Sequence, residues 1–210
     1  VKELAHDNGA LLIFDEIITG FRLSLGGAQE LFGVLPDLAT FGKGMANGFP
    51  LSAVVGSNKV MKTVEDIFFS GTFGGETLSL AAASMVISKY RKENVVKCLF
   101  ENGNYLLKAL NQLISDKDLS GVFWTSGHPS WSFLHIKAQD RFSIFEIRTY
   151  LLQEIFKRGI LVLGSHNISF SHTKKDIDKL LEVYTEVLPM VKLHVDNQTL
   201  LENIKAVSYT

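Results

Sequence analysis

The stretch that decides the fold lies near the start of the chain, where an apolar run leads directly into two acids. Residues 10–20 are ALLIFDEIITG, so five apolar residues precede Asp15 and Glu16. A continuous apolar run of this length is typical of a strand buried on both faces, as in a parallel sheet. Since open α/β sheets bind ligands at the carboxyl ends of their strands, Asp15 is expected to face a ligand crevice. Strand alternation turns Glu16 away from that crevice. In an alternative interpretation, Asp15 only caps a helix or satisfies loop amides.

A second run of the same kind ends at a lysine. Residues 36–44 are PDLATFGKG, which predicts a strand at Leu38–Phe41 and leaves Lys43 between two glycines. Glycines have no β-carbon, so a ligand can approach the lysine closely. Taken alone, Lys43 is better explained as an ordinary exposed loop lysine.

Together, Lys43 and Asp15 indicate a pyridoxal phosphate site. This cofactor needs a lysine that forms a Schiff base and an acid that keeps its pyridine nitrogen protonated. At about 4 Å and an effective dielectric constant of about 20, the acid favours the pyridinium by roughly 4 kcal/mol.

A third element precedes a predicted helix. Residues 70–76 are SGTFGGE. Glycines, hydroxyls and free amides at a helix start suit a phosphate group. Glu76 argues against an anion at that position, and a flexible turn explains the stretch about as well.

The remaining pattern predicts an α/β protein of two domains. Apolar runs predict further strands at residues 51–55, 67–70, 122–124, 131–136 and 160–163. Helical spacing predicts helices from residue 77, from residue 101, over 144–158 and over 174 to about 192, the last with a capping box from Thr173 and Asp176. We place a large-domain portion at 1–117, a small α+β domain at 118–193, and a polar tail at 194–210 that forms an interface arm or a disordered end.

Composition excludes several classes of partner. The chain carries 21 basic and 22 acidic residues, a net charge of -1, so neither nucleic acid nor an anionic membrane is indicated. No apolar run approaches the roughly 20 residues that span a bilayer. The single cysteine, Cys98, allows no internal disulfide and favours a reducing, cytoplasmic location. The histidines show no metal-ligand spacing, so no metal is predicted.

Several segments together resemble the class III pyridoxal-phosphate-dependent aminotransferases. Residues 12–22, LIFDEIITGFR, are similar to the family's aspartate segment, and residues 36–44 to its lysine segment. Residues 27–34, GAQELFGV, resemble the glutamate-1-semialdehyde aminomutase subgroup, and residues 171–173, SHT, the start of the family's last helix. We expect a C-terminal fragment, since the family's phosphate cup and its ring-stacking aromatic lie upstream of the aspartate.

The resemblance implies the aspartate-aminotransferase type of fold (fold type I), with part of the large-domain sheet followed by the small domain. It implies a homodimer with a shared active site. Lys43 would form the internal aldimine and move the substrate proton. Asp15 would hold the pyridinium, Ile17 would pack against the ring, and Thr72 would bind phosphate across the dimer interface.

Three functions stay open at this stage. The first is an aminotransferase that moves an amino group between an amino donor and a carbonyl acceptor. The second is an aminomutase-type isomerase with the same cofactor; the loop at 163–168 lacks the acid of the mutase pattern, which favours the transferase. The third is a non-catalytic fragment or assembly module, because this chain alone is expected to be inactive.

Overall fold

The computed structural model describes residues 1–205 of the chain. These form two compact units, Val1–Lys97 and a second unit that begins at Cys98. The units divide earlier than residue 117 because the helix Val95–Asp116 buries Leu110 and Ile114 in the core of the second unit. The domain boundary near 117 stays a prediction about the domains of the protein.

The first unit is built on a three-stranded sheet in the order β1-β2-β3, with β1 at Ile13–Asp15, β2 at Leu38–Phe41 and β3 at Ala53–Gly56. Strands β1 and β2 are parallel, as the apolar runs predict, whereas β3 runs antiparallel to β2. The predicted strand at 38–41 is confirmed residue for residue, and the other two are confirmed with shifted bounds.

The helices of the first unit are α1 (Lys2–Asp7), α2 (Ala28–Phe32), α3 (Asn58–Met61) and α4 (Thr77–Glu93), with 3-10 turns at Lys43–Met45 and Lys62–Asp66. The predicted start of α4 is confirmed. A small core of Met45, Ala46 and Ala83 packs the first 3-10 turn against α4.

Two expectations for this unit are wrong. Residues 67–70 form no strand, since no strand among residues 1–205 pairs with them, and Phe68 is 96% exposed. Strand β1 is not buried on both faces, because Ile13 is 56% exposed. A strand is buried only where further layers cover it, and the described residues supply no cover for Ile13.

The second unit is an α+β layer structure with an antiparallel sheet in the order β4-β5-β6. The strands are β4 (Phe123–His128), β5 (Trp131–Ile136) and β6 (Ser165–Asn167), and the helices are α5 (Val95–Asp116), α6 (Ile144–Lys157), α7 (Lys174–Asp196) and α8 (Leu200–Asn203). The predicted helices are confirmed, although α5 begins six residues earlier than expected at 101.

The core of the second unit lies between one sheet face and helices α6 and α7. Phe123 and Leu134 face inward from the sheet, and Ile147 and Leu188 meet them from the helices. Each fully buried side chain of this size contributes about 1.5–3 kcal/mol relative to exposure. The predicted capping box that starts α7 at Thr173 is confirmed.

Two expectations for the second unit need correction. Residues 160–163 form no strand, and β6 begins only at Ser165. The first part of the expected tail is neither an arm nor disordered: α7 continues to Asp196, and the fully buried Leu200 joins the core. Residues 206–210 lie outside the described residues. No helix among residues 1–205 is long and apolar enough to cross a membrane.

Candidate functional site

The structure brings Asp15 and Lys43 to the same edge of the first sheet. Asp15 ends β1 and is paired in parallel register with Thr40 of β2. Lys43 follows the end of β2 and opens the 3-10 turn Lys43–Met45. Both side chains are exposed. The carboxyl ends of two neighbouring parallel strands therefore carry an exposed acid and an exposed amine.

The Asp15 carboxylate is only partly used by its own chain. Its Oδ1 accepts a hydrogen bond from the Ile17 amide at 3.0 Å and a long one from the Thr40 hydroxyl at 3.4 Å. Among residues 1–205, Oδ2 has no hydrogen-bond partner. Oδ1 therefore satisfies a loop amide, as the alternative interpretation of Asp15 expects. Oδ2 can accept a hydrogen bond from a ligand.

Glu16, the neighbouring acid, has a structural role. Its carboxylate is fully buried and accepts hydrogen bonds from the amides of Ala28 and Gln29, both at 2.8 Å, and from the Thr19 hydroxyl. Glu16 therefore caps the start of α2, which lies 12 residues further along the chain. Gly27 permits this approach, since a β-carbon there would collide with the Glu16 carboxylate and its φ is +84°. Strand alternation predicted that Glu16 faces away from the crevice, but not this role.

Lys43 adopts a backbone conformation that is unusual for a residue with a side chain. Its φ is +39°, in the left-handed region. This region costs a non-glycine residue about 1–2 kcal/mol and persists only where the surrounding structure enforces it. A β-carbon on Gly42 would lie 3.7 Å from the Ile17 side chain, so Ile17 packs beside the turn.

Phe21 supports the same turn and was missed by the sequence analysis. Its β-carbon lies 3.7 Å from the position that a β-carbon on Gly44 would take. Its ring makes edge contacts with Phe41 and Tyr90, each at 5.9 Å between centroids. Burial raises the pKa of Tyr90, so the phenol stays protonated beneath the turn. No periodicity marks Phe21; its own positive φ, +60°, is visible only in three dimensions.

The stretch at residues 70–76, which was expected to offer free helix amides to a phosphate, does not do so. The amides at the start of α4 are not free, because the Glu76 carboxylate accepts from Leu78 N at 2.8 Å and Ser79 N at 2.6 Å. Hydrogen bonds from Ser79 and Leu78 lower the pKa of Glu76. Glu76 therefore already uses two of the amides that a phosphate would need at this helix start. Thr72 is exposed in the preceding turn, and its hydroxyl has no hydrogen-bond partner within residues 1–205.

Comparison with known proteins finds relatives and solved structures that resemble most of this chain. Over 195 residues the chain is 33% identical to the 3-aminobutyryl-CoA aminotransferase of Cloacimonas acidaminovorans, covering 91% of this chain and 47% of that protein. Over 197 residues it is 40% identical to the glutamate-1-semialdehyde 2,1-aminomutase of Methanococcoides burtonii, covering 88% and 46%. The solved structure of the PLP internal aldimine form of the Sphingopyxis sp. MTA144 FumI protein superposes with a TM-score of 0.81 at 27% identity, covering 92% and 46%.

Residues 1–177 match the family described as aminotransferase class-III. The chain therefore belongs to the class III aminotransferase family, and its two units have the fold of that family. It spans about half the length of the curated relatives that it matches.

Proposed function

We propose that this chain carries the lysine and the aspartate of a pyridoxal-phosphate-dependent aminotransferase, which moves an amino group between an amino donor and a carbonyl acceptor. The observation that carries the proposal is the open Oδ2 of Asp15 at the same strand edge as Lys43. The family match and the cofactor named for the FumI structure support it.

The residues at this edge fit the cofactor. Pyridoxal phosphate, when bound, supplies an electron sink that stabilises negative charge on the substrate carbon. Asp15 would accept a hydrogen bond from the pyridine nitrogen through Oδ2 and keep that nitrogen protonated. Ile17, which packs beside the lysine turn, would lie against one face of the ring.

Lys43 would have two tasks. Its Nζ would anchor the cofactor covalently and, once displaced by substrate, act as the base that takes and returns the substrate proton. The enforced φ of +39° limits the directions in which the side chain leaves the backbone, which favours a reproducible position of Nζ.

Thr72 would contribute a hydroxyl to the cofactor phosphate of a neighbouring subunit. Its hydroxyl is available within residues 1–205, and the turn at residues 71–74 is closed by the bond from Gly74 N to Gly71 O at 3.0 Å. Glu76 keeps the phosphate away from the α4 amides. The proposal therefore includes a homodimer in which each subunit completes the other's site.

An aminomutase-type isomerase is the second candidate, favoured by the 40% identity to the Methanococcoides burtonii enzyme. The two activities differ in whether they need a second substrate. A transaminase requires an amino donor and a separate carbonyl acceptor, whereas a mutase turns over one substrate alone. Turnover of an amino aldehyde without any added keto acid would favour the mutase.

The direct test is an absorbance spectrum of the complete protein with pyridoxal phosphate, followed by borohydride reduction and peptide mapping. We expect a reduced adduct on Lys43, its loss in Lys43→Ala, and its retention in Lys59→Ala, which removes an exposed lysine of α3. No adduct on Lys43 in the wild-type protein would contradict the proposal and favour the non-catalytic module.

A further inference from the structure

The loop that follows β1 contacts the lysine turn on both sides. Lys43 lies between Gly42 and Gly44. A β-carbon on Gly42 would lie 3.7 Å from the Ile17 side chain. A β-carbon on Gly44 would lie 3.7 Å from the β-carbon of Phe21. The loop that continues from the acid therefore packs against the residues on either side of the amine.

Phe21 joins this loop to two other elements. Its ring meets Phe41, the last residue of β2, and Tyr90 of α4 edge-on, each at 5.9 Å between ring centroids. It also packs against the small core that contains Met45 of the lysine turn and Ala46, which follows that turn. Edge-to-face aromatic pairs have a preferred geometry, so the ring resists displacement. Phe21 therefore ties the lysine turn to β2 and to α4.

The two residues that this contact joins both have an unfavourable backbone conformation. The φ angle is +60° at Phe21 and +39° at Lys43. Such conformations persist in residues with a side chain only where the surrounding structure enforces them. Gly20 lets the loop close tightly, since a β-carbon there would lie 2.5 Å from the Phe41 ring and 2.7 Å from the Glu16 carbonyl oxygen. Close packing of the loop against β2 therefore holds both strained residues in place.

We propose that Phe21 is a positioning residue, which holds the Lys43 amine at a fixed place relative to the Asp15 carboxylate. The inference rests on the proposed function, because a covalent step at Lys43 is what makes that place matter. Reacting groups must be held close to the productive geometry, and a misplacement of about 1 Å can slow a step about 100-fold. Phe21 acts through the lysine turn and contacts neither cofactor nor substrate.

The first measurement is amide hydrogen exchange of the complete protein without cofactor. In the lysine turn, the Met45 amide donates to the Gly42 carbonyl at 2.9 Å. The Asn47 amide donates to the Lys43 carbonyl at 3.1 Å. Phe21→Leu keeps an apolar side chain but removes the ring contacts, so we expect both amides to exchange about tenfold faster than in the wild type. Unchanged exchange at both amides would overturn the proposal.

The second measurement separates the covalent step from cofactor binding. We expect the borohydride-trapped adduct on Lys43 to form about tenfold more slowly in Phe21→Leu than in the wild type. In a Lys43→Ala background, Phe21→Leu should change the dissociation constant of pyridoxal phosphate less than about twofold, whereas general damage to the site would weaken binding as well. An unchanged rate of adduct formation, or an equal loss in rate and affinity, would overturn this inference alone. The absence of any adduct on wild-type Lys43 would overturn the proposed function and this inference with it.

Two further variants separate positioning from general loss of stability. Gly56→Ala strains the other end of the same sheet, since the added carbon would lie 2.5 Å from Asp37 O and from Leu38 Cδ2. It should lower stability but keep the wild-type exchange of the turn amides and the wild-type rate of adduct formation; the Phe21→Leu pattern in this variant would overturn the proposal. Tyr90→Leu removes the ring contact from α4 and tests the same support if Phe21→Leu does not fold. It should change both measurements in the same direction as Phe21→Leu, and wild-type values in both would refute the positioning role.

Discussion

Burial of one imidazole makes the stability of the second unit depend on pH in a direction that follows from the structure. His166 of β6 is 4% exposed and lies between two hydroxyls, with Nδ1 at 3.0 Å from Ser132 Oγ and Nε2 at 2.8 Å from Tyr184 Oη. Burial lowers the pKa of His166 to about 4. Burial also raises the pKa of Tyr184, so its phenol stays neutral and leaves the imidazole without a countercharge.

The direction of the pH dependence follows from the number of protons that the folded and the unfolded states bind. In the unfolded chain His166 titrates near its ordinary pKa of about 6.5, so between pH 6.5 and pH 4 the unfolded state binds more protons. The stabilisation from the neutral imidazole is therefore complete above about pH 6.5 and decreases as the pH falls toward 4. A pKa lowered from 6.5 to about 4 corresponds to roughly 3 kcal/mol of unfolding free energy.

The assay is urea unfolding monitored by tryptophan fluorescence at pH 7.5 and pH 4. Trp124 and Trp131 lie in β4 and β5, so the signal reports the unit that contains His166. We expect the wild-type protein to lose about 3 kcal/mol more over this interval than His166→Gln, which cannot titrate. His172→Gln, at an exposed histidine of the same unit, should behave like the wild type. Equal losses in the wild type and His166→Gln would refute the reasoning.

Three further predictions concern the backbone and the buried acid. Lys43→Gly should be about 1 kcal/mol more stable than Lys43→Ala in thermal unfolding, because only glycine adopts a positive φ without strain; equal stabilities would remove the evidence for strain. Glu16→Ala should lower the unfolding free energy by about 2 kcal/mol, since it removes the buried carboxylate that caps two part-buried helix amides; a change below about 0.5 kcal/mol, typical of a surface site, would contradict that role. Gly103→Ala should destabilise by about 1–3 kcal/mol although alanine favours helices, because the added carbon would overlap the Pro129 backbone. Gly121→Ala, whose added carbon meets no atom within 4 Å, is the matched control, and calorimetry of the two variants side by side decides the point.

The parts of the fold that sequence predicts well depend on local rules. Strands β2 and β5, the start of α4 and the capping box at Thr173 each follow from apolar period or from residues within one helical turn. The placement of Asp15 and Lys43 at one edge also follows, because parallel strands bring their carboxyl ends together.

The parts that sequence does not predict depend on contacts between distant residues. The carboxylate of Glu16 reaches amides 12 and 13 residues further along the chain, and nothing in the local pattern specifies that closure. Residues 67–70 and 160–163 have the composition of strands, but a strand also needs a hydrogen-bonded neighbour. Neither segment finds one within residues 1–205.

Asp15, the last residue of β1, and Glu16, which follows it, have different surroundings although they are neighbours in the sequence. They are adjacent, so alternation sends Glu16 into the interior and Asp15 to the edge. Glu16 is held by three donors and has little capacity left for a ligand. Asp15 keeps Oδ2 open, beside a lysine whose backbone strain the fold maintains. The left-handed backbone of Lys43 is the unfavourable feature for folding, at about 1–2 kcal/mol, and its occurrence at the strand edge that carries the open oxygen of Asp15 is an argument for the proposed role of both residues.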